Sequence, residues 1–337
     1  MFDVAIVGAG NMASMHGRGY LNLPNVRVVG VMDTNRERGE RLAGLGGTRY
    51  FDDFDMMMRE TKPDVVDVCT PTPFHADYVC RAAAYKPRGV VVEKPMALTT
   101  ADCERMIQAC DSAGVPLFVA HVLRFFPEFA TAKAQVDAGA VGHVAAVRTR
   151  RGGPCPRGTD NWFAKLAMSG GCILDLIIHD FDWLRWTFGE VERVFAKGVA
   201  ASSPEVDEVE RDYALVTLRF ASGAVAHVEG TWADPGGFKV GLEIAGDEGL
   251  LEYNFNQPAG APLVSALAES DSSRAAVPIP ESPTAVNPYQ AELAHFLDSL
   301  ERDVPAMVTG RDGLEAVKIG VAAIESVRTG QVVSLSR

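Results

Sequence analysis

The apolar run Phe2 to Val7 stops at Gly8-Ala-Gly10-Asn-Met-Ala13, and the next apolar run, Val26 to Met32, stops at Asp33, twenty residues beyond Ala13. Alone, that glycine spacing says little. After a strand, at the start of a helix and ahead of an acidic strand end, it specifies the first βαβ unit of a dinucleotide-binding sheet. Gly8 allows the tight turn, Gly10 lets a pyrophosphate approach the backbone, and Ala13 keeps helix close to strand while the helix N-terminus faces the phosphates. Asn11 and Met12 lie in the same loop and join the candidate cofactor contacts. Asp33 accepts hydrogen bonds from a ribose 2'-hydroxyl and repels a 2'-phosphate, which favours NAD over NADP. Arg36 and Arg38 either soften that preference or are ordinary solvated helix charges.

The alternation continues: helix 11–23, strand 26–32, helix 36–45, helix 53–60, strand 65–69, helix 74–84, strand 90–92, helix 100–113 and strand 117–120. Short apolar strands separated by amphipathic helices require right-handed crossovers and a parallel sheet covered on both faces, so residues 1–121 read as a doubly wound nucleotide-binding domain. Residues 122–337 follow a different order. Strands at 144–150, 191–200, 213–220, 224–230, 239–245 and 250–255 are joined by short turns such as Ser222-Gly223, which implies a mainly antiparallel α+β domain. Helices at 173–188, 289–300 and 313–328 cover one face, leaving the open face of the sheet to solvent or to another subunit in a homo-oligomer. The Pro-, Ala- and Ser-rich stretch 258–288 reads as a loop.

A chain of 337 residues accommodates two domains, and 47% hydrophobic with 23% charged residues is ordinary globular composition. The formal charge of −12 repels phosphate backbones and anionic lipids, so neither nucleic acid nor membrane is an expected partner. No basic segment followed by an apolar leader opens the sequence, and no run of about eighteen apolar residues occurs, which reads as a cytoplasmic protein. The six cysteines form no C-x-x-C pair, and no metal site is expected.

Glu93-Lys94-Pro95 closes the apolar run 90–92, which puts a lysine at the carboxyl end of a parallel strand, where open α/β sheets bind ligands and do chemistry. Cys69-Thr70-Pro71-Thr72-Pro73-Phe74-His75 follows the neighbouring strand at the same edge. Thr70 or Thr72 offers a ligand hydroxyl there, or Thr72 caps a helix start. Further on, Gly170-Gly171 leads into Asp175, His179 and Asp182, spaced by four and three and hence on one helical face. His179 either takes a hydroxyl proton as hydride leaves the same carbon or is a buried histidine held by Asp175 or backbone. Arg124, set between Leu123 and Phe125, needs a partner: cofactor phosphate, substrate or a carboxylate. Trp162, in Asn161-Trp-Phe163, completes the substrate candidates.

Together these residues resemble the glucose-fructose oxidoreductase and inositol dehydrogenase family, Gfo/Idh/MocA, over nearly the whole chain. The resemblance rests on the Gly8 to Ala13 loop, Asp33, Cys69-Thr70-Pro71 with His75, Glu93-Lys94-Pro95, His121-Val-Leu-Arg124-Phe, and Gly170-Gly171 through Asp175 and His179 to Asp182. Ile178-His179-Asp180-Phe181-Asp182 resembles the inositol dehydrogenase branch in particular. It implies a Rossmann domain followed by an open-faced antiparallel sheet domain, with NAD or NADP as cofactor. Lys94 then corresponds to the lysine that bonds the substrate hydroxyl and helps relay its proton, Asp175 to a substrate-binding carboxylate, and His179 to the general acid/base. Many members carry glycine two residues after that aspartate, whereas this chain has Ile177, which bears on the shape of the sugar pocket. The expected activity is reversible NAD-dependent oxidation of a secondary alcohol on a sugar or cyclitol. Two alternatives use the same fold: glycoside cleavage by transient oxidation, and a dinucleotide or sugar sensor without turnover.

Overall fold

The computed structural model describes residues 1–198, 212–234, 236–254 and 287–335, so the expected loop at 258–288 lies outside it up to residue 286. The chain divides into two units, Met1–Phe125 with Ser282–Glu315 and Phe126–Glu281 with Ala316–Arg337. A single cut after residue 121 does not anticipate the returning C-terminal segment, whose inclusion has an apolar cause described below.

The first unit is built from β1 (Phe2–Val7), α1 (Asn11–Leu21), β2 (Val26–Met32), α2 (Arg36–Gly46), β3 (Arg49–Phe51), α3 (Phe54–Thr61), β4 (Val65–Val68), α4 (His75–Ala84), β5 (Gly89–Glu93), α5 (Thr100–Ala113) and β6 (Leu117–Ala120). Its six strands run in the order β3-β2-β1-β4-β5-β6, with all neighbours parallel. Val4, Ile6, Val66, Val91 and Val119 are buried, as strands covered on both faces must be. The edge strand β3 has no apolar run to announce it: Arg49 is exposed and only Phe51 is buried. Asn35, Asp53 and Thr99 cap α2, α3 and α5 through their side chains.

The segment that returns to this unit carries α10 (Pro288–Arg302), capped by Asn287 and burying Leu293, Phe296 and Leu297. Phe296 stacks on Phe118 of β6 with ring centroids 5.0 Å apart. At Gly19 of α1, an added Cβ would lie 3.0 Å from Leu293 Cδ1, so the missing side chain is what lets α10 close on α1.

The second unit contains α6 (Pro127–Asp137), β7 (Val144–Gly152), α7 (Leu166–Ser169), α8 (Gly171–Asp175), α9 (Ile178–Phe188), β8 (Val191–Gly198), β9 (Tyr213–Phe220), β10 (Val225–Thr231), β11 (Lys239–Gly246), β12 (Leu250–Asn254) and β13 (Val333–Ser334). The boundary between units falls within α11 (Gly310–Thr329). The seven strands run β12-β11-β7-β10-β9-β8-β13 and pair antiparallel except for β7 with β10, so the sheet is mixed. Along β9, Ala214, Val216, Leu218 and Phe220 are fully buried while Tyr213, Leu215 and Arg219 point outward. That alternation marks a sheet with one covered face.

The helix expected over 173–188 is interrupted. Ile177 N–H donates to Cys172 O at 3.0 Å, one residue beyond helical spacing, and Asp180 N–H donates to Ile177 O at 3.0 Å. Asp175 therefore ends α8 and His179 stands in the first turn of α9, so the argument that a spacing of four puts them on one helical face does not hold.

Candidate cofactor and active-site residues

Strand order reverses between β1 and β4, whose ends pair Val7 with Val68, and the segments that follow them carry the cofactor candidates. Gly8 has φ +97°, and a Cβ there would lie 2.7 Å from Cys69 O, so no other residue fits the turn without shifting backbone. At Gly10 the reverse holds: an added Cβ meets nothing among the described residues within 4 Å. Gly10 precedes α1, which has no side-chain cap and no acidic residue in its first turn, in contrast to α2, α3 and α5. A helix start left open in this way is disposed toward an anion. Asn11 is exposed and Met12 half-buried at that start.

The Asp33 carboxylate is buried and takes hydrogen bonds from Ala9 N–H and Asn35 N–H, each 2.6 Å, one to each oxygen, with Arg38 Nη2 3.4 Å away. Oδ2 keeps a second lone pair for a ribose hydroxyl, whereas that of Oδ1 faces Arg38. Thr70 Oγ1 is buried and has no hydrogen-bond partner among the described residues, whereas Thr72 is buried in a short turn that continues into α4. An open cradle at Gly10, an acidic acceptor at Asp33 and an unanswered hydroxyl at Thr70 fit a dinucleotide.

His75 is 1% exposed, with Nε2 2.7 Å from Thr70 O and Nδ1 3.0 Å from Pro95 O. The ring lies between the Thr70-Pro71 loop and the Glu93-Lys94-Pro95 corner, and in its neutral form its single N–H donates to one of the two carbonyls. Burial pushes its pKa below the usual range, against the pull of those carbonyls. The Lys94–Pro95 bond is cis, and Lys94 is half-buried. Glu93 is buried and accepts Lys94 N–H at 3.0 Å. Burial raises its carboxyl pKa, but the bond to and charge of His16 outweigh this and hold it below the usual value.

His16 and Asp67 are absent from the sequence-based set. His16 Nδ1 lies 2.8 Å from Asp67 Oδ2 and 3.5 Å from Cys69 Sγ. The available signal was a histidine on the buried side of α1 with Ala13 and Tyr20, and an aspartate within the four buried residues of β4. These three side chains lie close enough together to hold a cation, yet their spacing is that of a closed hydrogen-bond network.

In the second unit, Asp175 is buried, Asp182 is buried and His179 is half-buried. The residue after His179 is pinned: Asp180 Oδ2 accepts from Arg151 Nε of β7 at 2.8 Å, with both side chains buried. Ile177 is fully buried, and a Cβ at Gly230 of β10 would lie 2.5 Å from its Cγ2. Its bulk is thus taken up by a glycine in the sheet. Trp162 stacks on Phe163 with centroids 3.8 Å apart, following Asp160 and Asn161 at φ +53° and +52°. Two successive non-glycine residues in the left-handed region are a local strain of the kind found at binding loops.

Arg124 finds partners within the first unit. It is 2% exposed, donating from Nη1 to Met307 O at 2.6 Å and from Nη2 to Asp312 at 3.2 Å, so it holds the C-terminal return of the first unit. Burial works against ionisation of Asp312, but the Arg124 charge keeps its pKa below the ordinary value. Arg124→Met should cost roughly 2–4 kcal/mol of unfolding free energy by thermal or urea denaturation. Substrate KM in the folded fraction should stay within about threefold, since this is structural loss alone. A raised KM at unchanged stability would restore the substrate assignment.

An oxidoreductase family model described as an NAD-binding Rossmann fold matches residues 2–121, and a GFO/IDH/MocA C-terminal domain model matches residues 129–252. The chain belongs to the Gfo/Idh/MocA oxidoreductase family. It is 28% identical to myo-inositol 2-dehydrogenase of Thermotoga maritima, with 98% of each chain covered. It is 29% identical to scyllo-inositol 2-dehydrogenase (NAD(+)) of Bacillus subtilis, over 98% of this chain and 95% of the other. The structure of GenD2 from gentamicin A biosynthesis in complex with NAD superposes with a TM-score of 0.86 at 27% identity, covering 100% of this chain and 97% of that one. These matches agree with the expected fold, NAD-binding domain and oxidoreductase class.

Proposed function

We propose that this family member oxidises a secondary alcohol of a sugar or cyclitol, reversibly and with NAD. The observation that carries the reading is the open cradle at Gly10, beside Asp33 and the orphaned Thr70 hydroxyl. The whole-length relatives named as inositol dehydrogenases support the substrate class. Bound NAD supplies the hydride acceptor. In this assignment Lys94 donates to the substrate hydroxyl oxygen and stabilises charge building there, His179 accepts the hydroxyl proton, and Asp175 with Trp162 holds the rest of the substrate. Asn11, Met12, Pro71 and Glu93 shape the cofactor side together with the glycines.

The test is NADH production across inositols, hexoses, sugar acids and nucleotide sugars. Net NADH with a polyol supports oxidation. Product release without net NADH would point to glycoside cleavage, and NAD binding without turnover to a sensor.

Asp33 sets the cofactor prediction. With its carboxylate locked by two backbone amides, the wild type should prefer NAD over NADP by at least about tenfold in kcat/KM, roughly 1.4 kcal/mol. Asp33→Ser should shrink that ratio. Equal use of NADP by the wild type would mean that Arg38, beside the carboxylate, dominates.

The outward face of the second sheet supports a homo-oligomer. Exposed Tyr213 and Leu215 lie beside cross-strand pairs of Arg150 with Glu229 and Arg148 with Glu243, a surface able to bury against its own copy. Light scattering that gives a monomer at micromolar concentration would end this part. None of the six cysteines is in a disulfide, and no helix among the described residues is long and apolar enough to cross a membrane, which suits a cytoplasmic setting that cell fractionation can check.

A further inference from the structure

His16 occupies the point where three elements of the first unit meet. It projects from α1 with Nδ1 2.8 Å from Asp67 Oδ2 on β4 and Nε2 3.0 Å from Glu93 Oε1 at the end of β5. The His16 and Asp67 side chains have no solvent exposure and Glu93 has 7%. The second Glu93 oxygen accepts the Lys94 N–H at 3.0 Å. Asp67 thus hydrogen-bonds the imidazole at Nδ1, Nε2 stands at ion-pair distance from Glu93 without the angle of a hydrogen bond, and the Glu93 carboxylate takes the backbone N–H of the lysine.

Two carboxylates in a dry interior need a cation between them, and an imidazole reached by both from opposite nitrogens supplies one when protonated. Burial disfavours that charge, but Asp67 and Cys69 outweigh it and raise the His16 pKa well above the ordinary value. The other titratable groups close to this cluster are Cys69, Tyr20 on α1 with Glu292 of α10 near it, Lys94 itself, and His75 of α4, whose pKa burial lowers.

We propose that His16 is a positioning residue for Lys94: held between Asp67 and Glu93, it fixes the direction of the Glu93 carboxylate and so the corner from which the Lys94 side chain departs. The inference rests on the reading of Lys94 as the group that polarises the substrate hydroxyl. A glutamine at position 16 donates only from one end, so one carboxylate loses its partner and the corner loses its fixed bearing. Small displacements of a catalytic group carry large rate penalties.

The test is a double-mutant cycle in the full-length chain, using NAD and whichever polyol supports turnover, with NAD affinity read separately by calorimetry. His16→Gln should lower kcat about tenfold with NAD affinity within about threefold, and should cost less than about twofold when Lys94 is already Met, because the two act as a unit. In ¹⁵N-histidine spectra near neutral pH, one imidazole with both nitrogens protonated should be present in the wild type and missing in His16→Gln. Should that variant fail to fold, Asp67→Asn keeps the imidazole and the shape. It should show a smaller loss of kcat, about threefold, that likewise vanishes in the Lys94→Met background. The same factor in both backgrounds, or lost NAD affinity with kcat intact, makes His16 merely structural and overturns the proposal. A stoichiometric bound cation in the purified protein overturns it too, by placing a metal at Nδ1. Wild-type turnover in Lys94→Met alone sinks the Lys94 reading and this inference with it, an outcome distinct from the others.

Discussion

With alanine at position 179, turnover should fall by about two to four orders of magnitude while NAD still binds, the loss typical of removing a general acid/base. His179 stands in the first turn of α9, half-buried, next to Asp180. The buried bond from Arg151 to Asp180 anchors that turn to β7, so truncating a neighbouring, partly exposed ring should leave the helix in place. Stability of His179→Ala should therefore stay close to wild type by thermal unfolding. Isotope effects from carbon-deuterated substrate and from heavy water, compared by stopped flow, separate hydride transfer from proton transfer in what remains. Wild-type turnover in this variant would leave His179 as a structural histidine, and the substrate chemistry would need another base.

What the sequence made legible follows from which interactions are local. The βαβ repeat is written in runs such as Val4 to Val7 and Val90 to Val92, because strands buried on both faces favour near-continuous apolar side chains, with Asp67 of β4 as the exception. Gly8 and Gly10 were readable for the same reason: a left-handed turn and an open approach each constrain one residue type. Pairings across long separations were not readable. Arg124 was recognisably in need of a partner, but nothing near it in sequence points to Met307 or Asp312. The return of α10 to the first unit depends on the fit of Leu293 beside Gly19, a steric match between residues far apart in the chain. The break at Leu176-Ile177 escaped for a subtler reason. Apolar residues fill both α8 and α9, so periodicity runs straight through, and the interruption shows only in which carbonyl each N–H finds. The same break accounts for Ile177, whose side chain turns into the sheet against Gly230.

Lys94→Met is the variant that most directly separates chemistry from architecture. The corner that carries Lys94 is held by groups other than its ammonium: Glu93 takes the Lys94 backbone N–H, and the buried His75 ring packs between the Pro95 and Thr70 carbonyls and donates to one of them. Methionine keeps much of the apolar stem, so folding and NAD affinity should change little. Turnover should fall by roughly a hundredfold or more, since losing a donor aimed at a developing oxyanion commonly costs about 2.7 to 4 kcal/mol. Lys94→Arg should recover only part of the loss, because the guanidinium is planar, bulkier and does not release its proton. Primary deuterium isotope effects on kcat should grow in Lys94→Met as the chemical step becomes limiting. If the substitution instead unfolds the protein, or abolishes NAD binding without a turnover defect at saturating cofactor, the lysine is part of the scaffold of the corner and the polarising group must be sought elsewhere.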